Sequence, residues 1–293
     1  MKGVILAGGT GSRLWPLTRV ISKHLLAVYD KPMIYYPITT LMLAGIKEIA
    51  IVTTPTQVDS FKETLGSGEK WGVKFYYCIQ NSPKGIPDAL NSVPKNFKSN
   101  PVALILGDNL LYGMGLGSSL SNIFTGSGAL AFGYAVSNPS EYGVVEIDSS
   151  QAIVGIEEKP KYPKSNFAIP GFYFFDQSVY IKLKSLKPSK RNELEITDLL
   201  NIYNHESSLV IKVLERGTAW LDTGTVESLI QANEFVKVIE DRQGLKIGCP
   251  EEVAIREKFI TGKAFLEIIA GTPKSSYRDY LVSIAFEFGL SVT

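Results

Sequence analysis

The opening of the chain constrains it most. An apolar run at residues 3–6 empties directly into Ala7-Gly8-Gly9-Thr10-Gly11-Ser12-Arg13-Leu14. A strand that ends in glycines, hydroxyls and a cation can curl into a nest of backbone N–H groups, the shape that holds a polyphosphate. Spelling weakens one other phosphate loop and excludes a second. A dinucleotide fingerprint needs a third glycine where Leu14 stands, and the G-x-x-x-x-G-K-[ST] string of a P-loop occurs nowhere. Glycine alone would suit any tight βα turn. Arg13 and, further on, Lys23 supply two cations that turn chemistry does not require.

Beyond this loop, apolar runs of strand length alternate with helical stretches, which predicts an α/β fold with a largely parallel sheet. Strands are expected at 49–53, 73–79 and 102–106, the last apolar throughout as in a central buried strand. Helices are expected at 32–44, opened by Asp30 and Pro32 and closed by Gly45, and at 57–65. From residue 129 the spacing tightens to that of hairpins, with strands at 129–136, 143–147 and 152–157 and a turn at 148–151. An aromatic strand at 172–175, helices near 177–183 and 195–203, a strand at 209–214 and a long helix at 225–239 complete a sheet of mixed direction. From Lys246 the sequence is mostly helix-compatible, at 251–260, 263–270 and 278–288. No hexapeptide repeat is present, which excludes a β-helical acyltransferase tail.

Lys plus Arg number 30 against 29 Asp plus Glu, so no global basic surface recruits nucleic acid or an anionic membrane. Anion binding must come from locally placed cations, and the ligand is expected to be small. There is no charged-then-apolar leader and no apolar run of about 18 residues, so a cytoplasmic location is expected. Cys78 and Cys249 form no C-x-x-C pair, which argues against zinc, and Cys78 reads as a small buried hydrophobe. His24 and His205 have no nucleophile motif beside them.

Ligands of open α/β sheets gather at the carboxyl ends of strands. The first strand delivers Gly8 to Arg13, the strand at 73–79 delivers Gln80 and Pro83-Lys84-Gly85, and the strand at 102–106 delivers Gly107-Asp108-Asn109. These three ends are expected to converge. Asp108 suits Mg²⁺, which takes one or two carboxylates plus substrate phosphate oxygens. Asp222, between a strand and the long helix, is either the second carboxylate or a helix cap, and Thr225 is better placed to cap. Glu158 and Lys159 are neighbours at the end of a strand and so should face opposite sides, with Lys159 either a phosphate clamp or solvated. Tyr142-Gly143 precedes a strand where glycine would let a sugar or base approach the backbone.

Together, residues 6–14 with Lys23, Gly107-Asp108-Asn109, Glu157-Glu158-Lys159-Pro160 and Trp220-Leu221-Asp222-Thr223-Gly224 resemble the sugar-1-phosphate nucleotidylyltransferases, in particular their short glucose-1-phosphate thymidylyltransferase branch. Residues 29–37, 193–198 and 233–244 support the likeness, which covers nearly the whole chain. It implies a Rossmann-like mixed, mainly parallel central sheet flanked by helices, of the nucleotide-diphospho-sugar transferase type. The implied catalytic domain spans 1–245, with a nucleotide part at about 1–125 and a sugar part at about 126–245. A helical appendage at 246–293 would serve oligomerisation or regulation.

The resemblance further implies that Gly8, Gly11, Ser12, Arg13 and Lys23 bind the nucleotide phosphates. Gln80 and Gly85 would hold the base, with His24 and Asn109 bordering the nucleotide. Tyr142, Gly143, Glu158 and Ile169 would line the sugar pocket, Lys159 would meet the sugar phosphate, and Asp108 and Asp222 would hold Mg²⁺. Arg13, Lys23 and Lys159 would be catalytic. The implied substrates are dTTP and glucose 1-phosphate, with dTDP-rhamnose as a feedback inhibitor of a homotetramer on a deoxysugar pathway. Two departures touch the nucleoside: His24 stands where glutamine is usual, and Gly85-Ile86-Pro87-Asp88-Ala89 replaces Gly-Leu-Ala-Gln-Ala. Uridylyl or cytidylyl transfer, and a non-catalytic sugar-nucleotide-binding regulator, are the competing readings; an NAD enzyme is a more distant one.

Overall fold

A computed structural model describes residues 1–9, 11–82, 84–113, 120–150 and 152–292; Thr10, Pro83 and Gln151, named above, lie outside the described residues. In chain order the first half comprises β1 (Lys2–Leu6), β2 (Ala27–Val28), β3 (Lys31–Pro32), α1 (Tyr35–Leu43), β4 (Glu48–Thr53), α2 (Val58–Leu65), β5 (Lys74–Ile79), β6 (Val102–Leu106) and β7 (Asn109–Tyr112). The second half continues with β8 (Ala129–Ala135), β9 (Gly143–Ile147), β10 (Ile153–Glu158), β11 (Phe167–Ala168), β12 (Phe172–Phe175), α3 (Val179–Lys182), α4 (Ile196–His205), β13 (Leu209–Val213) and β14 (Ala219–Asp222). Helices α5 (Val226–Gln243), α6 (Pro250–Arg256), α7 (Gly262–Gly271) and α8 (Ser276–Glu287) close the chain.

The central sheet runs β10-β9-β11-β8-β12-β6-β1-β4-β5, with β13 also paired to β8. Strands β6, β1, β4 and β5 are mutually parallel, whereas β12 enters antiparallel between β6 and β8. Because β1 has β4 on one side and β6 on the other, the chain changes direction of travel there. The loops after β1 and β6 therefore open a crevice at that switch.

Period-two alternation sorts the parallel strands onto two cores. Val4, Ala50, Val52 and Leu104 face one layer with Leu199, Leu200 and Tyr203 of α4. Ile5, Ile49, Ile51, Ala103 and Ile105 face the other with Ile38, Leu41 and Met42 of α1 and Phe61 and Leu65 of α2. Cys78 packs in the first of these as a buried residue, as its strand-like surroundings predict.

Three local expectations need correction. Pro32 does not begin a helix: Lys31–Pro32 pairs with Ala27–Val28 in a two-stranded ribbon whose turn places Tyr29 at φ 60, and α1 starts at Tyr35. The helix expected near 177–183 is only one turn, Val179–Lys182. The long helix runs to Gln243 and stops at Gly244 in a left-handed cap.

The C-terminal helices form a small cluster of their own around Phe265, Ile269, Leu281 and Ile284. Ahead of them an ionic group ties the β2–β3 ribbon to the end of α5 and the segment after it: Lys31 and Lys246 both contact Asp30 and Glu240, with Lys31–Glu240 at 2.9 Å and Lys246–Glu240 at 3.1 Å. Among the described residues no helix is long and apolar enough to cross a membrane.

Candidate active site

The loop after β1 bends at Gly11, whose φ of 60 is unstrained only in glycine, and enters a short 3-10 turn, Ser12–Leu14. Leu14 is buried, which swings Arg13 outward across the crevice. There it meets the end of β14. A methyl group at Gly224 would lie 2.8 Å from Arg13 Nη2 and 2.9 Å from Asp222 Oδ1, so guanidinium and carboxylate close on the same point.

Asp222 is positioned by strand pairing. β14 and β7 form an antiparallel ribbon in which Asp222 stands opposite Asn109, the residue after Asp108. Thr223 tightens the join, its hydroxyl donating to the Asp108 carbonyl at 2.8 Å. Thr225, not Asp222, caps α5 by a reciprocal pair with Ser228. Asp222 is thereby left to the cavity.

The two carboxylates differ in electrostatics. Burial alone would raise Asp108, but Lys23 in contact with it, together with a hydrogen bond from Asn109, outweighs burial and holds it well below the usual carboxylate range. Asp222 is raised, first by burial and then by the negative charge of Asp108. A carboxylate raised by the charge of a neighbouring one, in a crevice, fits a site completed by a cation.

A cavity of about 430 Å³ collects most of the expected residues: Arg13, Asp108, Asn109, Tyr142, Gly143, Glu158, Lys159, Ile169 and Asp222 all line it. Glu158 and Lys159 were expected on opposite faces, yet both reach the cavity. The reason is local: Lys159 follows β10 with a φ of 44, which breaks the strand's alternation, and its N–H donates to the Tyr142 carbonyl. Gly143, opposite Glu158 in the ladder, has a packing reason to be glycine. A methyl group there would sit 2.9 Å from Thr197 and 3.3 Å from Glu158 Oε2.

The remaining expected residues lie beside the cavity. Lys23 reaches it through Asp108. Gly8 faces Gln80, whose Oε1 would be 3.4 Å from a methyl group on it. Gly85, at φ 98, is pressed against the Leu194 backbone, where a methyl group would come within 2.0 Å of the carbonyl oxygen. His24 is buried behind Gly107, its Nδ1 3.1 Å from Ser22 Oγ, and burial followed by the Lys23 charge pushes its pKa down to about 3. It is therefore a neutral imidazole supporting the Asp108 turn.

Two residues escaped the sequence reading: Trp220, which lines the cavity, and Arg191, which reaches it only through Glu158. Trp220 donates from Nε1 to Asn109 Oδ1 at 2.6 Å and packs edge-on against Tyr142 at 5.0 Å between centroids, forming the aromatic wall. Arg191 makes two hydrogen bonds to Glu195, at 3.2 and 2.7 Å, and reaches Glu158 at 3.3 Å. Burial, then the Glu195 charge, raises the Glu158 carboxyl despite Arg191. The Glu193-Leu194-Glu195-Ile196-Thr197-Asp198 string supported the family likeness without a place in the site, and Ile196 and Thr197 of it line the cavity. Arg191 has no comparable signal.

The sequence profile of the nucleotidyl transferase family matches residues 2–238. A glucose-1-phosphate thymidylyltransferase from Mycolicibacterium smegmatis is 49% identical over 284 residues, 97% of this chain and 99% of the relative. That of Neisseria meningitidis is 45% identical over 285 residues, again 97% and 99%. Among solved structures, UDP-glucose pyrophosphorylase complexed with UDP-glucose superposes with a TM-score of 0.71 at 26% identity, covering 81% of this chain and 98% of that one.

Proposed function

Because this chain belongs to the nucleotidyl transferase family, we infer that it transfers the thymidylyl group of dTTP to α-D-glucose 1-phosphate, giving dTDP-glucose and pyrophosphate. The observation that carries this reading is the convergence of Arg13, Asp108, Lys159 and Asp222 on one cavity, in a chain whose full-length relatives bear that activity in their names.

The attacking phosphate oxygen is already anionic near neutral pH, so the reaction requires no general base. Its obstacle is repulsion between two polyanions, and the protein's task is alignment and charge neutralisation. Asp108 and Asp222, whose mutual repulsion suits a shared cation, would hold Mg²⁺, which when bound supplies positive charge to the phosphates. Arg13 faces the departing pyrophosphate and Lys159 orients the sugar phosphate for inline attack on the α-phosphorus. Lys23, freed from Asp108 on ligand binding, shares the nucleotide charge. Gly8, Gly11 and Ser12 offer the nucleotide loop, Gln80 and Gly85 border the base, and His24 and Asn109 brace the nucleotide side. Tyr142, Gly143, Glu158 and Ile169 receive the sugar.

A panel of dTTP, UTP and CTP with glucose 1-phosphate and Mg²⁺, followed by pyrophosphate release, tests this. Preference for dTTP is expected; preference for UTP or CTP, or product binding without turnover, overturns it.

The same reading extends to a cytoplasmic homotetramer acting at the first step toward dTDP-rhamnose or another deoxysugar, with the helical appendage in regulation. A cavity of about 270 Å³ supports it, where Tyr36 and Leu43 of the α1 region meet Lys246, Cys249, Val253 and Arg256. It has an apolar wall, and its polar edge mixes Lys246 and Arg256 with Glu252 and Glu257, so a nucleotide sugar there would have to compete for Lys246 and Arg256 with the carboxylates they already contact. Sizing chromatography and inhibition by dTDP-rhamnose test this; a monomer insensitive to it removes the proposal.

A further inference from the structure

We propose that Asp88 is a specificity-determining residue: it fixes the orientation of the Gln80 amide so that the site presents a hydrogen-bond acceptor to the pyrimidine. The inference rests on the reading that Gln80 borders the base.

Gln80 follows β5 and is 6% exposed, its backbone N–H held by the Thr53 carbonyl at 2.8 Å. Its side-chain Nε2 donates to Asp88 Oδ2 at 2.8 Å. Asp88 sits in a 3-10 turn, Pro87–Asn91, and its other oxygen accepts from Asn91 Nδ2 at 3.2 Å. A carboxylate only accepts, whereas the two ends of a glutamine amide are nearly the same shape and opposite in hydrogen-bonding sense. Gln80 can satisfy Asp88 only with its nitrogen turned inward. Its Oε1 is then turned to the glycine loop, toward Gly8.

Pyrimidines differ at the edge such an oxygen would read. N3 of thymine and uracil carries a hydrogen, and N3 of cytosine carries a lone pair. An acceptor fixed in place pairs with the first and opposes the second. An amide at position 88 can donate or accept, so there the orientation of Gln80 would have to be held by other contacts; in this chain the Asp88 carboxylate holds it. One carboxylate, itself outside the cavity, would thus exclude cytidine nucleotides.

The test compares kcat/KM for dTTP, dCTP and a dTTP methylated at N3, in wild type, Asp88→Asn and Asp88→Ala, each checked by circular dichroism. Wild type is expected to prefer dTTP to dCTP by about 10²-fold or more and to reject the N3-methyl compound. Asp88→Asn should lower the dTTP:dCTP ratio about tenfold while the KM for glucose 1-phosphate stays within about twofold. Asp88→Ala, which frees the amide without offering a donor, should lower the ratio in the same direction. If wild type accepts N3-methyl dTTP as well as dTTP, the placement of the base at Gln80 is wrong. If wild type discriminates and both variants keep its ratio, the role of Asp88 is refuted while that placement stands.

Discussion

Replacing Glu240 by Gln should destabilise the protein far more than a change of one atom suggests. Glu240 is 7% exposed and is shared by three donors: Lys31 Nζ at 2.9 Å, Lys246 Nζ at 3.1 Å and the Ile247 N–H at 2.9 Å. Lys31 is buried more deeply still, at 3%. The group holds two acids and two bases and is neutral; Glu240→Gln leaves two ammoniums facing one carboxylate. At an effective dielectric of about 20, the Lys31–Glu240 attraction is about 6 kcal/mol before desolvation. Loss of one partner of a buried pair then costs about 3–5 kcal/mol. Lys31→Met should cost a similar amount, and the double variant much less than the sum, because it leaves Asp30 and Lys246 as a matched pair. Urea denaturation at pH 7, followed by tryptophan fluorescence and circular dichroism, measures all four species. Singles that cost under about 1 kcal/mol, or a double variant additive within about 0.5 kcal/mol, would refute the argument.

The same group sets a pH window. Asp30 would be raised by burial, but hydrogen bonds from Lys246 and Lys31 lower it below 3.8, so its stabilisation is present above that value and lost as pH falls through the depressed one. Lys246, raised above 10.5 by Asp30 and Glu240 against its burial, stabilises below that value and loses the effect as pH rises through the elevated one; melting temperature against pH in Lys246→Met should show a smaller alkaline fall, the buried tyrosines supplying the rest. Arg13→Ala and Lys159→Ala should each lower kcat about 10²–10³-fold if each makes a charged contact in the transition state, and turnover within a few-fold of wild type removes the assignment. Gly143→Ala should raise the KM for glucose 1-phosphate, since the added methyl would displace Glu158 and Thr197; an unchanged KM contradicts the sugar-pocket reading. Asp176→Ala should cost about 1–3 kcal/mol by freeing the Gly128 N–H and the Tyr203 hydroxyl, read by thermal denaturation.

Most of the sheet was legible because strands such as Val102–Leu106 are apolar along their whole length, and glycine and acidic residues mark where they end. Asp108 and Asp222 were legible for the same reason, as polar residues at strand ends. Only the facing of Lys159 relative to Glu158 was misjudged, because strand alternation was carried one residue too far, past the point where the backbone turns left-handed. Lys31–Pro32 was misread because a proline before an apolar run signals a helix start, while the tight turn at Tyr29 depends on contacts with α5, including the Asn233 side chain accepting from the Tyr29 N–H. Arg191 was invisible because its partners Glu158 and Glu195 come from two different elements, and only the folded chain joins them.

The ribbon of β7 and β14 has a consequence for how this protein can vary. Asp222 ends one of its strands and Asp108 immediately precedes the other, so their spacing follows a ladder of main-chain pairs in which Asp222 faces Asn109. Adding or deleting one residue in either strand would slide that ladder and turn a side chain to the opposite face. Surface connections can lengthen or shorten across a lineage while the sheet persists, but this short ribbon acts as a gauge block whose length admits no adjustment. Drift in its residue count would separate the acids while leaving both in the sequence, so a variant could retain every acidic residue and still lose the pair.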